Sequence, residues 1–199
     1  MAEGQEKSER VRLFVALDLP RDLRERIGEW GRQALADPAL RPVSVENLHI
    51  TLAFLGSRPQ QQVEAITGVV EGGSGEAPLV ALGNPEPRPR RRPKVFGLPA
   101  TSPGAEALQA SLVGRLAEAG LHEPEERPFW PHVTVARVRS ESGRSRRPRP
   151  VEQSPEKLPE KLAEAWFCRR LTLYRSELQP SGARYVPLAQ VKLPETGRQ

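Results

Sequence analysis

His49-Ile-Thr-Leu-Ala-Phe-Leu55, closed by Gly56, is the stretch whose reading decides the fold. It is apolar, carries a β-branched residue beside the histidine and ends on a turn former, so it reads as a largely buried strand. Residues two apart on a strand share a face. His49 and Thr51 therefore project together, and Ile50, Leu52 and Phe54 are assigned to the core side. The pattern recurs in Phe129-Trp-Pro-His132-Val-Thr-Val-Ala-Arg137-Val138, where His132 and Thr134 share a face opposite Val133 and Val135. The chain has three histidines and only six threonines in 199 residues. Two histidines with a threonine two positions on have a chance of roughly 0.3%, so the motif is not dismissed as a chance match.

Outward from these strands the chain alternates short elements. Arg10 to Asp18 reads as a buried strand; Pro20 suits a first helical turn, and Leu23, Ile27, Trp30 and Ala34 form one apolar helix face ended by Asp37-Pro38. An extended piece near Val43 and Val45 leads into the first histidine strand. Ser57 and Pro59 resemble a helix start, and Val63, Ile66 and Val70 continue a stripe as far as the glycines at 72, 73 and 75. Strands are expected near Leu79 to Leu82 and Lys94 to Leu98, joined by a basic loop. Thr101 or Ser102 caps a helix with Pro103 in its first turn and Leu108, Leu112, Leu116 and Ala119 on its apolar side, ended by Gly120. After the second histidine strand come a basic loop, a short helix around Glu156 to Ala165, and a hairpin of Phe167 to Arg175 with Arg184 to Lys192 turning at Ser181-Gly182. Two roughly matching halves, each with one histidine strand, predict an α+β architecture of two similar lobes rather than a doubly wound parallel sheet.

Composition narrows the function classes. One cysteine, Cys168, excludes an internal disulfide and a cysteine-rich metal site, and places the chain in a reducing, cytoplasmic setting. No apolar run approaches the roughly 18 residues a membrane span needs, and the polar Met1 to Arg10 segment has no signal-peptide character. The net charge is +5 and the pI about 9.9. Arginine concentrates in two places: Arg88, Arg90, Arg91 and Arg92 with Lys94, and Arg137, Arg139, Arg144, Arg146, Arg147 and Arg149. Such clusters suit a polyanionic partner, or serve as solvated, proline-stiffened loops.

The matched histidines carry the chemistry. A single histidine in an apolar strand is ordinarily structural; two, each beside a hydroxyl on a rigid strand, form an acid–base pair for phosphate esters near neutral pH. One neutral imidazole takes a proton from water and the other, protonated, gives one to the departing ribose oxygen. Thr51 and Thr134 supply hydrogen bonds to non-bridging phosphate oxygens, and Arg137 stabilises the developing charge. Arg137 lies five residues after His132, so a bend or its long side chain must bring it to the histidine face. The three aspartates, Asp18, Asp22 and Asp37, fall outside both motifs, which leaves a poor metal ligand set. No Gly-x-Ser-x-Gly elbow or P-loop is present. His122 lacks a threonine partner and reads as a turn residue, Cys168 as a small apolar strand residue, and Phe14 and Trp130 as core aromatics that could otherwise stack on a base.

Asn47-Leu-His-Ile-Thr-Leu-Ala-Phe-Leu-Gly56 and Pro131-His-Val-Thr-Val-Ala-Arg137 resemble the paired His-x-Thr-x motifs of the 2H phosphoesterase superfamily, and within it the RNA 2',3'-cyclic phosphodiesterases, also called 2'-5' RNA ligases. Arg12-Leu-Phe-Val-Ala-Leu-Asp18, Leu173-Tyr-Arg-Ser-Glu-Leu178 and Gly182-Ala-Arg-Tyr185 are similar to that family's terminal segments. The resemblance covers about residues 10 to 193. It implies a bilobal α+β fold with the histidines facing one another across a central cleft. It also implies hydrolysis of a cyclic phosphate to a 2'-phosphomonoester without metal or nucleotide cofactor, with weak reversible 2'-5' ligation. By the same resemblance His49 is the proton donor, His132 the acceptor, and Thr51, Thr134 and Arg137 bind phosphate. The expected partners are RNA with 2',3'-cyclic phosphate ends, tRNA fragments among them, or cyclic nucleotides, with no membrane and a monomeric protein. A module that binds cyclic-phosphate or 2'-5'-linked ends without efficient turnover is the other reading. The expected organisation is a tail over residues 1–9, one bilobal domain over 10–193 with a mobile basic loop at 139–155, and a second tail at 194–199.

Overall fold

The structure is a computed structural model that describes residues 9–73, 75–141, 147–179 and 182–195. In chain order it comprises β1 (Arg10–Asp18), α1 (Arg21–Ala34), β2 (Leu40–Pro42), β3 (His49–Pro59), α2 (Val63–Glu71), β4 (Leu79–Leu82), β5 (Glu86–Arg88) and β6 (Val95–Thr101). There follow α3 (Pro103–Glu118), β7 (His132–Val138), α4 (Glu160–Ala163), β8 (Trp166–Phe167), β9 (Arg170–Gln179) and β10 (Gly182–Lys192). The fold is α+β, and every strand pairing among the described residues is antiparallel.

The strands run β10-β9-β1-β3-β7-β6-β4-β8, with β2 added to β7 and β5 to β6. The order falls into two halves, β10-β9-β1-β3 and β7-β6-β4-β8, and the seam between them is narrow. β3 and β7 meet through one register pair, Ile50 with Val133. Both side chains are fully buried, and each is the residue that follows a motif histidine. Carrying this antiparallel register one residue either way aligns His49 with Thr134 and Thr51 with His132. The apolar seam thus sets the two polar pairs against each other on the opposite face.

The helices form for the reasons their sequences give. Ser102 caps α3, its Oγ accepting from the Ala105 N–H at 3.1 Å, with Pro103 in the first turn. Ala105, Leu108, Leu112 and Leu116 are the residues α3 buries. In α1 the buried face is Leu23, Ile27, Gly31 and Ala34, with Trp30 half-buried beside it.

Several elements differ from the sequence expectations. The first histidine strand does not stop at Gly56; it continues to Pro59, because Gly56 takes φ +70° beside a β-bulge between β1 and β3. Ser57 and Pro59 therefore lie in strand, and a 3-10 turn at Gln60–Gln62 starts the helix instead. The extended piece expected near Val43 and Val45 is β2 at Leu40–Pro42, followed by a 3-10 turn at Val45–Asn47. The basic loop before β6 contains a short strand of its own, β5, and the last helix contracts to Glu160–Ala163.

Much of the segment after β7 is tied down. Asp37 accepts backbone N–H bonds from Ala39, Glu152 and Gln153 at 2.7, 2.8 and 2.8 Å, and the Arg149 N–H donates to the Arg139 carbonyl. Residues 142–146 of that loop, residues 1–8 and 196–199 of the expected tails, and Pro180 with Ser181 of the expected Ser181-Gly182 turn lie outside the described residues. Near the C-terminus the Pro194 carbonyl accepts from the Ala77 N–H, and Arg169 pairs with Glu195.

Candidate active site

One cleft of about 960 Å³ takes in all five residues singled out from the sequence: His49, Thr51, His132, Thr134 and Arg137. Each histidine is oriented by the same device. His49 Nδ1 lies 2.7 Å from the Asn47 carbonyl and His132 Nδ1 lies 2.7 Å from the Trp130 carbonyl, in both cases two residues upstream. A carbonyl only accepts, so each Nδ1 carries the proton and each Nε2 presents its lone pair. His49 Nε2 is 3.0 Å from Thr51 Oγ1, which places the hydroxyl of the motif directly on the reactive nitrogen.

Aromatic rings fix the imidazole planes. Phe14 stacks on His49 at 5.0 Å between centroids, and Tyr185 meets it edge-on at 5.4 Å. Trp130 stacks on His132 at 3.9 Å with 14° between planes, and the Arg88 guanidinium carbon sits 4.3 Å from the Trp130 ring centroid. Beneath this stack lies Gly97, where a Cβ would come within 3.0 Å of both His132 Cδ2 and Trp130 Cη2. The close approach of β6 to β7 depends on that missing side chain. Phe14 and Trp130, read as core aromatics, are ring partners of the two histidines.

Two bulges complete the site. The β6–β7 register shifts between Phe96 and Gly97, so that Gly97 pairs with Thr134 and Phe96 with Ala136. Val135 is the extra residue, and Val135 and Ala136 are both buried. This slip turns Arg137 onto the face of His132 and Thr134, supplying the bend its odd spacing required. β3 does the same between Val15 and Ala16 of its partner, which pair with Ala53 and Thr51. Leu52 and Ala53 are then both buried and Phe54 turns outward, 61% exposed and lining the cleft. The expectation that Phe54 points into the core is therefore wrong, and the bulge is the reason. Arg137 and Phe54 are equivalent positions, each five residues after its histidine.

Electrostatics favour neutral imidazoles. Burial, reinforced by the nearby His132 and Arg137, lowers His49 from the usual 6.5 to about 4, against the raising effect of its bond to Asn47. Burial also lowers His132, with Arg88 adding to the effect and the Trp130 carbonyl opposing it. Sequence reasoning missed Asn47, whose Nδ2 also donates to the Ala183 carbonyl at 2.8 Å, and the cleft residues Arg12, Arg41 and Tyr185. Position two before each histidine was the signal for Asn47; nothing local marks the other three. Among the described residues no group of three or more His, Cys, Asp or Glu side chains is placed to hold a metal ion. His122 and Cys168 lie apart from the cleft lining, and Cys168 is buried.

Comparison with known proteins bears on the family. The family described as LigT like Phosphoesterase matches residues 17–76. The RNA 2',3'-cyclic phosphodiesterase of Escherichia coli (strain K12) is 32% identical over 183 residues, covering 91% of this chain and 96% of that protein. The crystal structure of TT0787 of Thermus thermophilus superposes with a TM-score of 0.77 at 27% identity, over 94% of this chain and 100% of that one. E. coli LigT complexed with 3'-AMP gives a TM-score of 0.72 at 30% identity, over 93% and 99% of the two chains. With identity at that level sustained along nearly the full length of both proteins, this chain belongs to the LigT-like phosphoesterases, the family of the E. coli RNA 2',3'-cyclic phosphodiesterase.

Proposed function

We propose that this enzyme hydrolyses RNA 2',3'-cyclic phosphodiester ends to 2'-phosphomonoesters, with His49 and His132 as its acid and base. The observation that carries the reading is the pair of imidazoles in one cleft, each with Nδ1 committed to a backbone carbonyl and Nε2 left for proton transfer. Water attacks phosphorus, the bond from phosphorus to the ribose 3'-oxygen breaks, one imidazole accepts the water proton and the other returns a proton to the 3'-oxygen. The Thr51 and Thr134 hydroxyls and the Arg137 guanidinium bind the non-bridging oxygens, where charge accumulates. A 5'-hydroxyl in place of water gives a 2'-5' linkage, the weak ligation expected of the family.

Family resemblance makes His49 the donor and His132 the acceptor. Burial opposes a proton on His49, so the donor role requires the phosphate anion to raise its proton affinity on binding. A relative that binds 3'-AMP supports a nucleotide in the cleft. RNA fragments, including those of tRNA, are the substrates proposed, acted on by a monomer in the cytoplasm.

The test is incubation with a 2',3'-cyclic mononucleotide in EDTA, followed by phosphorus NMR of the product. A 2'-monophosphate formed at an undiminished rate supports the reading. A 3'-monophosphate, turnover abolished by EDTA, or binding without turnover rejects it, and the last outcome favours an RNA-end-binding module.

A further inference from the structure

Described residues of the two arginine clusters, some fifty residues apart in sequence, meet at one end of β7. Val95 of β6 pairs with Arg137, the Val138 N–H donates to the Lys94 carbonyl, and the Arg149 N–H donates to the Arg139 carbonyl. Between the clusters lies a second cavity of about 400 Å³, lined by Arg91, Arg92, Arg147, Arg149 and one carboxylate, Glu141, with prolines and Val151. The cavity and the catalytic cleft share no lining residue but are linked through β7: Arg137 lines the cleft, and the carbonyl of Arg139, two residues on, accepts from the Arg149 N–H of the cavity wall. On the other side of β7, Arg41 of β2 pairs directly with Arg137 and also lines the cleft. Like charges set opposite one another across a strand pair are destabilising. No carboxylate within salt-bridge distance relieves Arg41, Arg137, Arg91 or Arg92 among the described residues.

Arg41 set against Arg137, with Arg91 and Arg92 nearby and no salt-bridged carboxylate on these four among the described residues, fits a ligand that brings its own regularly spaced negative charge. We propose that the arginine-lined cavity is a subsite for backbone phosphates of the RNA strand that leads, from its 5' side, to the cyclic end held in the cleft. Arg41 and Arg137 bridge the two sites. The inference rests on the phosphodiesterase reading for the position of the strand end, and it makes an oligonucleotide, not a cyclic mononucleotide, the preferred substrate. Phosphate contacts of this kind give affinity without base specificity.

The test compares the wild type with an Arg91→Gln/Arg92→Gln double variant, both positions exposed and neither lining the catalytic cleft. Two substrates are used, a 2',3'-cyclic mononucleotide and a single-stranded decanucleotide ending in a 2',3'-cyclic phosphate, over a series of salt concentrations. The wild type is expected to favour the decanucleotide in kcat/KM. The double variant is expected to lose about tenfold on the decanucleotide at low salt and nothing on the mononucleotide. Removing two cations that each neutralise a phosphate of a single strand lowers the log–log salt slope by about 1.4. Equal loss on both substrates, or an unchanged salt slope, overturns the subsite. Fluorescence anisotropy with a 3'-phosphorylated decanucleotide reads the same interactions without turnover. Salt-dependent binding weakened in the variant supports the subsite even if no cyclic phosphate is hydrolysed, and identical binding in the two proteins rejects it even if hydrolysis is normal.

Discussion

His49 and His132 each spend one nitrogen on a backbone carbonyl and keep the other for chemistry, so the two imidazoles share a tautomer while differing in burial. Both are pulled below 6.5, His49 to about 4. The kcat/KM profile of an acid–base pair reports the free enzyme and peaks between its two pKa values. That peak is therefore expected below pH 6.5, whereas the kcat profile, measured with the phosphate anion bound, should peak at higher pH. A kcat/KM optimum above 7 would contradict the burial argument. Arg88 acts on His132 through the Trp130 ring and by its charge. Arg88→Gln removes one of the influences that lower His132, so the limb of the profile belonging to His132 should move to higher pH. An unchanged profile would leave Arg88 a packing residue.

At the scale of elements, the bulges convert two apolar strands into a site. Deleting Val135 removes the extra residue and leaves Arg137 four positions after His132, on the same face by regular alternation. A folded deletion variant should therefore keep Arg137 in the cleft and retain hydrolysis; loss of most of the activity would contradict the bulge as the origin of Arg137's facing. Gly97→Ala tests the contact between β6 and β7. Its Cβ meets His132 and Trp130 at 3.0 Å, so the ring stack must shift by a few tenths of an ångström. Activity should fall more than thermal stability, as read by rate and by melting temperature; a variant with wild-type rates would show that the stack tolerates displacement. These same bulges mark the limit of what the sequence makes legible. Period-two alternation is enough to put His49 with Thr51 and His132 with Thr134, because the first three residues of each motif precede the bulge. Past it the alternation fails, which is why Phe54 reads as core and is in fact exposed, and why Arg137 needed a bend the sequence could not locate. A bulge depends on the partner strand's register, and that information is not local. The α3 cap at Ser102 and the apolar stripe of Leu108, Leu112 and Leu116 were legible because capping and helical period are local.

Across the whole molecule, two half-sheets meet at Ile50 and Val133, and the catalytic groups come from both sides of that seam. Folding and site assembly are thereby one event, and acid should weaken both. The unfolded chain protonates its histidine near 6.5 while folded His49 resists until about 4, so stability is lost as pH falls through that window. Asp37, held below 3.8 chiefly by backbone N–H groups of Gln153 and Ala39, adds a further loss below 3.8. Asp18, whose carboxyl burial pushes up, works in the opposite sense above 3.8. Melting temperature should therefore decline from pH 6.5 to pH 4, and decline less in His49→Asn. The most direct test of the central claim is single-turnover hydrolysis of a 2',3'-cyclic oligonucleotide in EDTA by His49→Ala, His132→Ala and the double variant. Acid–base catalysis contributes about 10²–10⁴ in rate, and groups that act as a unit are not additive. Each single variant should lose at least about a hundredfold, with the double variant little worse than the poorer single one. If either single variant, still folded, keeps a rate near that of the wild type, the two-histidine mechanism is wrong.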